Sequence, residues 1–291
     1  MSIQSQICFH RCQRLVPYTT GLQLQQKLVQ QRLSNPSQPN MLLLLQHSPV
    51  YTAGRRLKGQ ASADEALRIK SSNFQVLGNL YLAGSNISLE TGLDLFETSR
   101  GGQTTFHGPG QLIGYPILDL RTIYRRNEPA PSPNAKAPGT SVRGFVAGLE
   151  DAIMSTCSQF GISTKRTPHT GVWASDDRKV AALGVQVSRY ITSHGFALNC
   201  NVDLTYFDAI VPCGLEDKQA TSLTREVGIL AKEESVQDVT VDLAIPALVK
   251  GFEEAFEVEM ASLSTVDPAL AQEIDEFLQF GKQETPFFNC I

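Results

Sequence analysis

The longest uninterrupted apolar run in this chain, Met41 to Leu45, is only five residues long. A membrane-crossing helix needs roughly 20, so the chain is not expected to span a bilayer, and the run reads as a buried strand. It passes into Gln46-His47-Ser48-Pro49, where proline ends regular pairing, and Val50 to Arg56 continues as a loop or strand end. Around this strand the periodicity changes type several times. Pro17 to Leu33 has helical spacing, with Thr19 or Thr20 as N-cap and Leu24 and Leu28 on one face. Ser141 caps a second helix carrying Val142, Phe145, Val146, Leu149 and Ile153, which Gly161 stops. Ile245, Leu248, Val249, Phe252 and Phe256 mark a third helix, whereas Lys179 to Val187 and His194 to Asn199 read as strands. This irregular alternation with hairpin-like steps predicts an α+β fold, a mixed β-sheet packed with helices, rather than a doubly wound parallel one.

With 42% hydrophobic and 19% charged residues among 291, the composition is globular and bounds the chain to one large domain or two smaller ones. No internal repeat is visible. Lys58 to Thr91 is irregular, with scattered Gly, Ser and Asn, and reads as an elaborated connection. Arg125 to Ser141 holds Pro129, Pro131, Pro133 and Pro138, the composition of a loop insertion. Lys and Arg total 25 against 29 Asp and Glu, a net charge of -4, so nonspecific nucleic-acid binding is not expected. Cysteines 8, 12, 157, 200, 213 and 290 form no dense disulfide framework and no repeated CxxC, which fits free thiols in a reducing compartment. The sequon Asn86-Ile87-Ser88 is then a chance match. The first acidic residue is Asp64, while Arg11, Arg14, Lys27 and Arg32 come early, the bias of a mitochondrial transit peptide. Because Pro17 to Leu33 also reads as an ordinary helix, any presequence would be very short.

Chemistry concentrates in three places. The first is Arg100-Gly101-Gly102-Gln103-Thr104-Thr105-Phe106-His107-Gly108-Pro109-Gly110-Gln111, where glycines allow backbone N–H groups to approach a ligand. It is not a Walker A loop, which needs Lys-Ser or Lys-Thr, nor a Rossmann turn, because Pro109 interrupts it and the next glycine is Gly114. The second is Cys213, set between Pro212 and Gly214 at the exit of an apolar stretch, a perch for an exposed nucleophile, although most such cysteines are small buried hydrophobes. The third is Lys179, at the start of an apolar strand, where partial burial would let it act as base or stabilise a thiolate; a solvated strand end is the plainer reading. His10, His47, His107, His169 and His194 form no metal-binding pair, so no metal site is expected. A serine hydrolase would lack its GxSxG elbow.

Taken together and in order, Gln46 to Arg55, Arg100-Gly101-Gly102 through Gln111, Tyr115-Pro116, Lys179-Val180-Ala181-Ala182-Leu183-Gly184, His194-Gly195-Phe196-Ala197-Leu198-Asn199 and Val211-Pro212-Cys213-Gly214 closely resemble the lipoate-pathway octanoyltransferases, from about Cys8 to Phe256. The resemblance implies the biotin/lipoate ligase-like α+β fold and a single octanoyltransferase catalytic domain over residues 1–291. Insertions would lie near 58–91 and 125–141, with a C-terminal helical segment at 240–291. It implies Cys213 as the acyl-thioester nucleophile and Lys179 as the residue that lowers its pKa. Arg100, Gly101, Gly102, Gln103, Thr104, Thr105, Phe106 and His107, Ala182, Leu183 and Gly184, and Gly195, Phe196 and Ala197 would line the acyl-substrate site. The chain departs from the family pattern at Gln46, where many members are acidic, and at Phe106, where tyrosine is common.

The donor implied is octanoyl-acyl carrier protein. The acceptors are lipoyl domains of 2-oxoacid dehydrogenases and the glycine cleavage H protein, with no cofactor, nucleic acid or membrane involved. Both macromolecular substrates are expected to be small and acidic, so docking on a net acidic chain would use a local basic patch such as Arg55, Arg56 and Lys58. Thioester to amide is downhill, so neither ATP nor metal is required, and kinetics would be ping-pong. The nearest rival is an ATP-dependent lipoate or octanoate ligase of the same fold, which needs no cysteine. A cysteine thioesterase would release free octanoate, and a noncatalytic lipoyl-domain binder would be indifferent to Cys213. The expected compartment is mitochondrial, with the bacterial cytoplasm as the alternative.

Overall fold

A computed structural model describes residues 5–55, 78–82, 85–126, 139–210, 217–233 and 236–280, with the backbone alone at 78–82 and 85–92. In chain order they form β1 (Gln6–Val16), α1 (Tyr18–Ser34), β2 (Asn40–His47), β3 (Val50–Ala53), β4 (Gly78–Leu82), β5 (Ser85–Glu97), β6 (Thr105–His107) and β7 (Gln111–Ile117). Then come α2 (Val142–Gln159), β8 (Val172–Trp173), β9 (Arg178–Ser188), β10 (Ile191–Asn199), a 3-10 turn (Leu204–Ala209), β11 (Gln219–Ala220) and α3 (Leu223–Ala231). The chain ends in α4 (Val241–Phe256), β12 (Glu259–Ser262), α5 (Leu263–Val266) and α6 (Pro268–Phe280).

The apolar run of β2 explains the layering. Side chains on a strand alternate between faces, and here Leu42 and Leu44 enter one core while Met41, Leu43 and Leu45 enter another. A strand apolar on both faces needs cover on both sides. Phe145, Leu149 and Ile153 of α2 with Leu248, Phe252 and Phe256 of α4 supply the first cover, and Leu24 and Leu28 of α1 with Leu270 and Ile274 of α6 the second. The sheet runs β11-β9-β10-β7-β2-β1-β12, with β8 on β9, and a second sheet runs β4-β5-β3-β6. In the large sheet β1 is parallel to β2 and β12, and β9 is parallel to β11, while the pairs β2–β7, β7–β10 and β10–β9 are antiparallel. The mixed sheet packed with helices is as predicted.

Several local expectations change. Helix α1 starts at Pro17 rather than at a threonine cap: Gly21 N donates to Pro17 O at 3.0 Å, and Thr20 is buried inside the first turn. Proline suits a helix start because it lacks an N–H that would go unpaired there. Ser141 does cap α2, accepting from Gly144 N at 2.9 Å, but Val142 in the first turn is exposed. The stretch read as irregular between Lys58 and Thr91 contains β4 and most of β5 at its far end; residues 56–77 lie outside the described residues. Either side of 127–138, also outside them, the chain is tied together, with Thr140 N donating to Leu120 O and Ile123 O. The C-terminal segment is not wholly helical, because β12 pairs with β1 at its start. Arg11, Arg14, Lys27 and Arg32, the early basic residues of the acid-poor beginning, belong to β1 and α1.

Candidate active site

The two triplets picked out from separate motifs are direct partners in the β9–β10 ladder: Ala182 with Ala197, Leu183 with Phe196, Gly184 with Gly195. The absence of side chains at the glycines lets other backbone come close. A Cβ on Gly184 would lie 2.7 Å from Gly101 O, so the glycine-rich loop after β5 sits directly on β9, and Gly101 N donates to Val185 O at 3.3 Å. Between loop and ladder lies a narrow, partly open cleft. Arg100, Gly102, Gln103, Thr105 and His107 line it from one side, and all six ladder residues from the other. Tyr18 of α1, Ile113 and Tyr115 of β7, and His194 complete it; sequence reasoning had not assigned these four.

Three residues of the glycine-rich segment do not line the cleft. Gly101 is the loop's anchor on β9, and Thr104 is buried behind it. Phe106, in the middle of the three-residue β6, faces the other way and stacks on Tyr206 with ring centroids 4.5 Å apart. Gln46, the other departure from the family pattern, accepts from Gly110 N at 2.8 Å and so fixes the turn into β7.

A directional chain of hydrogen bonds runs behind the cleft. Arg100 Nη2 donates to Thr52 O at 2.7 Å, to Thr52 Oγ1 at 2.8 Å and to Gln103 O at 2.9 Å, so this guanidinium ties the loop to β3. Thr52 Oγ1 is 3.2 Å from His107 Nε2, and His107 Nδ1 is 2.8 Å from Gln111 Oε1. Since the amide oxygen can only accept, Nδ1 carries the proton and Nε2 accepts from the threonine hydroxyl. Gln111 Nε2 donates onward to Asn199 Oδ1 at 2.8 Å, and Asn199 Nδ2 to Thr221 O at 2.8 Å. Burial drives His107 well below its usual range, which keeps it in this neutral tautomer. His47 is pulled down to about 4 by burial; Nδ1 donates to Val16 O and Nε2 accepts from Tyr115 OH at 2.6 Å. His194, with φ +54°, has its N–H on Gln25 Oε1 and is lowered to about 3 by burial. These histidines are structural acceptors and donors at neutral pH rather than cations.

Lys179 is buried one chamber away. A second, smaller hollow is lined by Lys179, Trp173, Gln111, Asn199 and Lys218, and adjoins the cleft at Thr105 and Ala182, which line both. Lys179 Nζ lies 4.5 Å over the Trp173 ring and donates to Thr170 O at 3.3 Å. Ala220 of β11 is its ladder partner. Cys213 lies outside the described residues, between Ile210, which is buried, and β11. The described cysteines, Cys8, Cys12, Cys157 and Cys200, are free and buried, and desolvation pushes Cys12 and Cys157 up to about 12, so none is a ready thiolate. Among the described residues no cluster of three or more His, Cys, Asp or Glu is placed to hold a metal, and no helix is long and apolar enough to cross a membrane.

Comparison with known proteins agrees with this architecture. Residues 17–253 match the model of the lipoyl protein ligase A/B catalytic domain. The mitochondrial octanoyl-acyl-carrier-protein:protein N-octanoyltransferase of Danio rerio is 40% identical over 242 residues, covering 83% of this chain and 88% of its own. An octanoyltransferase of Koribacter versatilis is 37% identical over 258 residues, covering 88% and 86%. Among solved structures, lipoate-protein ligase A bound with ATP superposes with TM-score 0.56 at 14% identity, covering 94% of this chain and 95% of that one. The bipartite lipoate protein ligase of Thermoplasma acidophilum gives 0.52 at 14%, covering 97% and 99%. At that identity the likeness is one of fold, and it establishes the ligase-like α+β architecture.

Proposed function

From the premise that the chain belongs to the lipoyl protein ligase A/B catalytic-domain family, on its octanoyltransferase side, we propose that it transfers an octanoyl group from acyl carrier protein to a protein lysine through a thioester on Cys213. It is an acyltransferase. The observation that carries the reading is the pair of chambers meeting at Thr105 and Ala182: a cleft for an acyl chain beside a compartment holding a buried lysine.

In the first half-reaction the Cys213 thiolate attacks the donor thioester, and the pantetheine thiol leaves with a proton. A free thiol near pKa 8.5 is only partly ionised at neutral pH, and Lys179, as cation or base, raises that fraction. Backbone N–H groups of the glycine-rich loop and ladder stabilise the oxyanion. In the second half-reaction the ε-amine of an acceptor lysine attacks the Cys213 thioester, Lys179 takes the proton, and the amide forms as the thiol is released. The octanoyl tail lies between Tyr18, Ile113 and Tyr115 and the ladder. Acceptors are lipoyl domains of 2-oxoacid dehydrogenases and the glycine cleavage H protein, and the whole chain acts as one catalytic domain. The mitochondrial naming of the fish relative supports a mitochondrial setting, with the bacterial cytoplasm as the alternative.

Intact-protein mass spectrometry after mixing with octanoyl-acyl carrier protein tests this. Wild type should carry one octanoyl adduct that passes to a lipoyl domain, Cys213→Ala should carry none, and Lys179→Ala should form it far more slowly. An adduct that survives in Cys213→Ala would remove the nucleophile; transfer that requires ATP and free octanoate would make the protein a ligase.

A further inference from the structure

Two contacts that seat Lys179 come from one stretch of chain, the loop joining α2 to β8 and the start of β8. Thr170 supplies the carbonyl and Trp173 the ring, and Trp173 Nε1 donates back to His169 O at 3.0 Å, so carbonyl and indole belong to one folded unit. Gly171 lies between them with φ +137°, and a Cβ there would stand 2.8 Å from Ala181 O and 3.1 Å from Lys179 Cε. Only glycine lets the loop press on the lysine stem in this way.

The loop itself is pinned from α2. Glu150 is 7% exposed, on a helix otherwise turned to the apolar core by Phe145, Leu149 and Ile153. Its Oε1 accepts from Gly171 N at 3.0 Å and its Oε2 from Arg166 Nε at 2.8 Å. Arg166 also donates to Ala147 O at 2.6 Å and to Asp151 at 2.5 Å. A carboxylate is expensive to bury unless paired and hydrogen-bonded, and this one places its two oxygens on the two ends of the loop that carries Thr170.

We propose that Glu150 is a positioning residue for Lys179: by fixing Gly171 directly and the near end of the loop through Arg166, it holds Thr170 O and the Trp173 ring where they seat the lysine ammonium. The inference rests on the reading of Lys179 given above. Glu150 never meets substrate.

The test compares Glu150→Ala, Glu150→Gln, Gly171→Ala and Lys179→Ala by three readouts. These are the rate of octanoyl adduct formation, the rate of acetic-anhydride labelling of the Lys179 peptide, and the emission of Trp173, the chain's single tryptophan. In Glu150→Ala the lysine should label faster, emission should move to longer wavelength, and adduct formation should slow by roughly 10- to 100-fold, the scale of a misplacement of about 1 Å. Glu150→Gln keeps an acceptor for only one of Gly171 N and Arg166 Nε and turns an N–H donor on the other, so it should show the same changes at smaller size. Gly171→Ala disturbs the lysine from the loop side and should reproduce the labelling and rate changes even where Glu150→Ala does not fold. A folded Glu150→Ala with wild-type labelling and adduct rate, beside an inactive Lys179→Ala, overturns the positioning role alone. A Lys179→Ala protein that acylates at the wild-type rate overturns the role of Lys179 and this inference with it.

Discussion

Gly184 and Gly195 stand opposite each other in the β9–β10 ladder, and each makes room for a backbone oxygen from elsewhere, Gly101 O at the first and Gly114 O at the second. The cleft wall is therefore thin by necessity: one added methyl group on either side meets main chain, which cannot swing away as a side chain would.

Gly195→Ala would put its Cβ 2.1 Å from Gly114 O and 2.5 Å from Pro116 Cδ. Relief requires β10 and β7 to part, a cost of about 1–3 kcal/mol. Urea denaturation should show the loss, and adduct formation should fall with it. A variant of wild-type stability would mean that the ladder is looser than its geometry.

Thr52→Val keeps shape and removes the hydroxyl between Arg100 and His107. Arg100 retains Thr52 O, but His107 Nε2 loses its donor inside the protein. An unsatisfied buried acceptor costs about 1–3 kcal/mol, so the melting temperature should drop, with the glycine-rich loop cut by protease sooner than the helices. Equal stability and protease resistance would show that the chain of hydrogen bonds is not continuous through Thr52.

Mild acid should destabilise the fold. His47 is neutral when folded, lowered to about 4 by burial, and returns to about 6.5 on unfolding. Between those values the unfolded chain binds more protons, so its contribution is complete above about pH 6.5 and is lost as pH falls towards about 4. The size is on the order of 3 kcal/mol from this residue, and His194 and His107, lowered in the same sense, add to it. Urea midpoints measured from neutrality to about pH 5 should fall steadily, and less steeply in His47→Gln. A flat profile would contradict the neutral histidines.

Arg55 is exposed, with its backbone N–H held by Arg100 O at 2.9 Å; Arg56 and Lys58 lie outside the described residues. If this edge of the cleft receives an acidic carrier, Arg55→Glu with Arg56→Glu should raise the apparent KM for octanoyl-acyl carrier protein and weaken its salt dependence, with kcat little changed. An unchanged KM would place docking elsewhere.

Much of this could be read from the chain because its signals are local. An apolar run made β2, a serine before a helical stripe made α2, and glycines crowded beside Arg100 and His107 marked a loop that does border a cleft. What was hidden depends on pairing or on facing. Phe106 lies among cleft residues in sequence, but strand alternation turns it into the aromatic cluster of Tyr51 and Tyr206. Tyr18 and Tyr115 look like ordinary core residues until α1 and β7 bring them to the cleft floor. Glu150 carries no motif, because its importance arises from a loop that folds back onto α2. Strands β4 and β5 escaped because Gly, Ser and Asn dilute the β-forming pattern between Gly78 and Glu90.

The pairing of β1 with β12 joins the first and last of the described strands, Gln6 beside Glu259 and Phe9 beside Ser262. On the ribosome, then, β1 must wait for β12 before that flank of the sheet is complete. Until β12 is made, β1 offers bare N–H and C=O groups on that side to any neighbour, a template for mispairing. Truncation within α4, which removes β12, should therefore yield aggregation rather than a smaller folded enzyme.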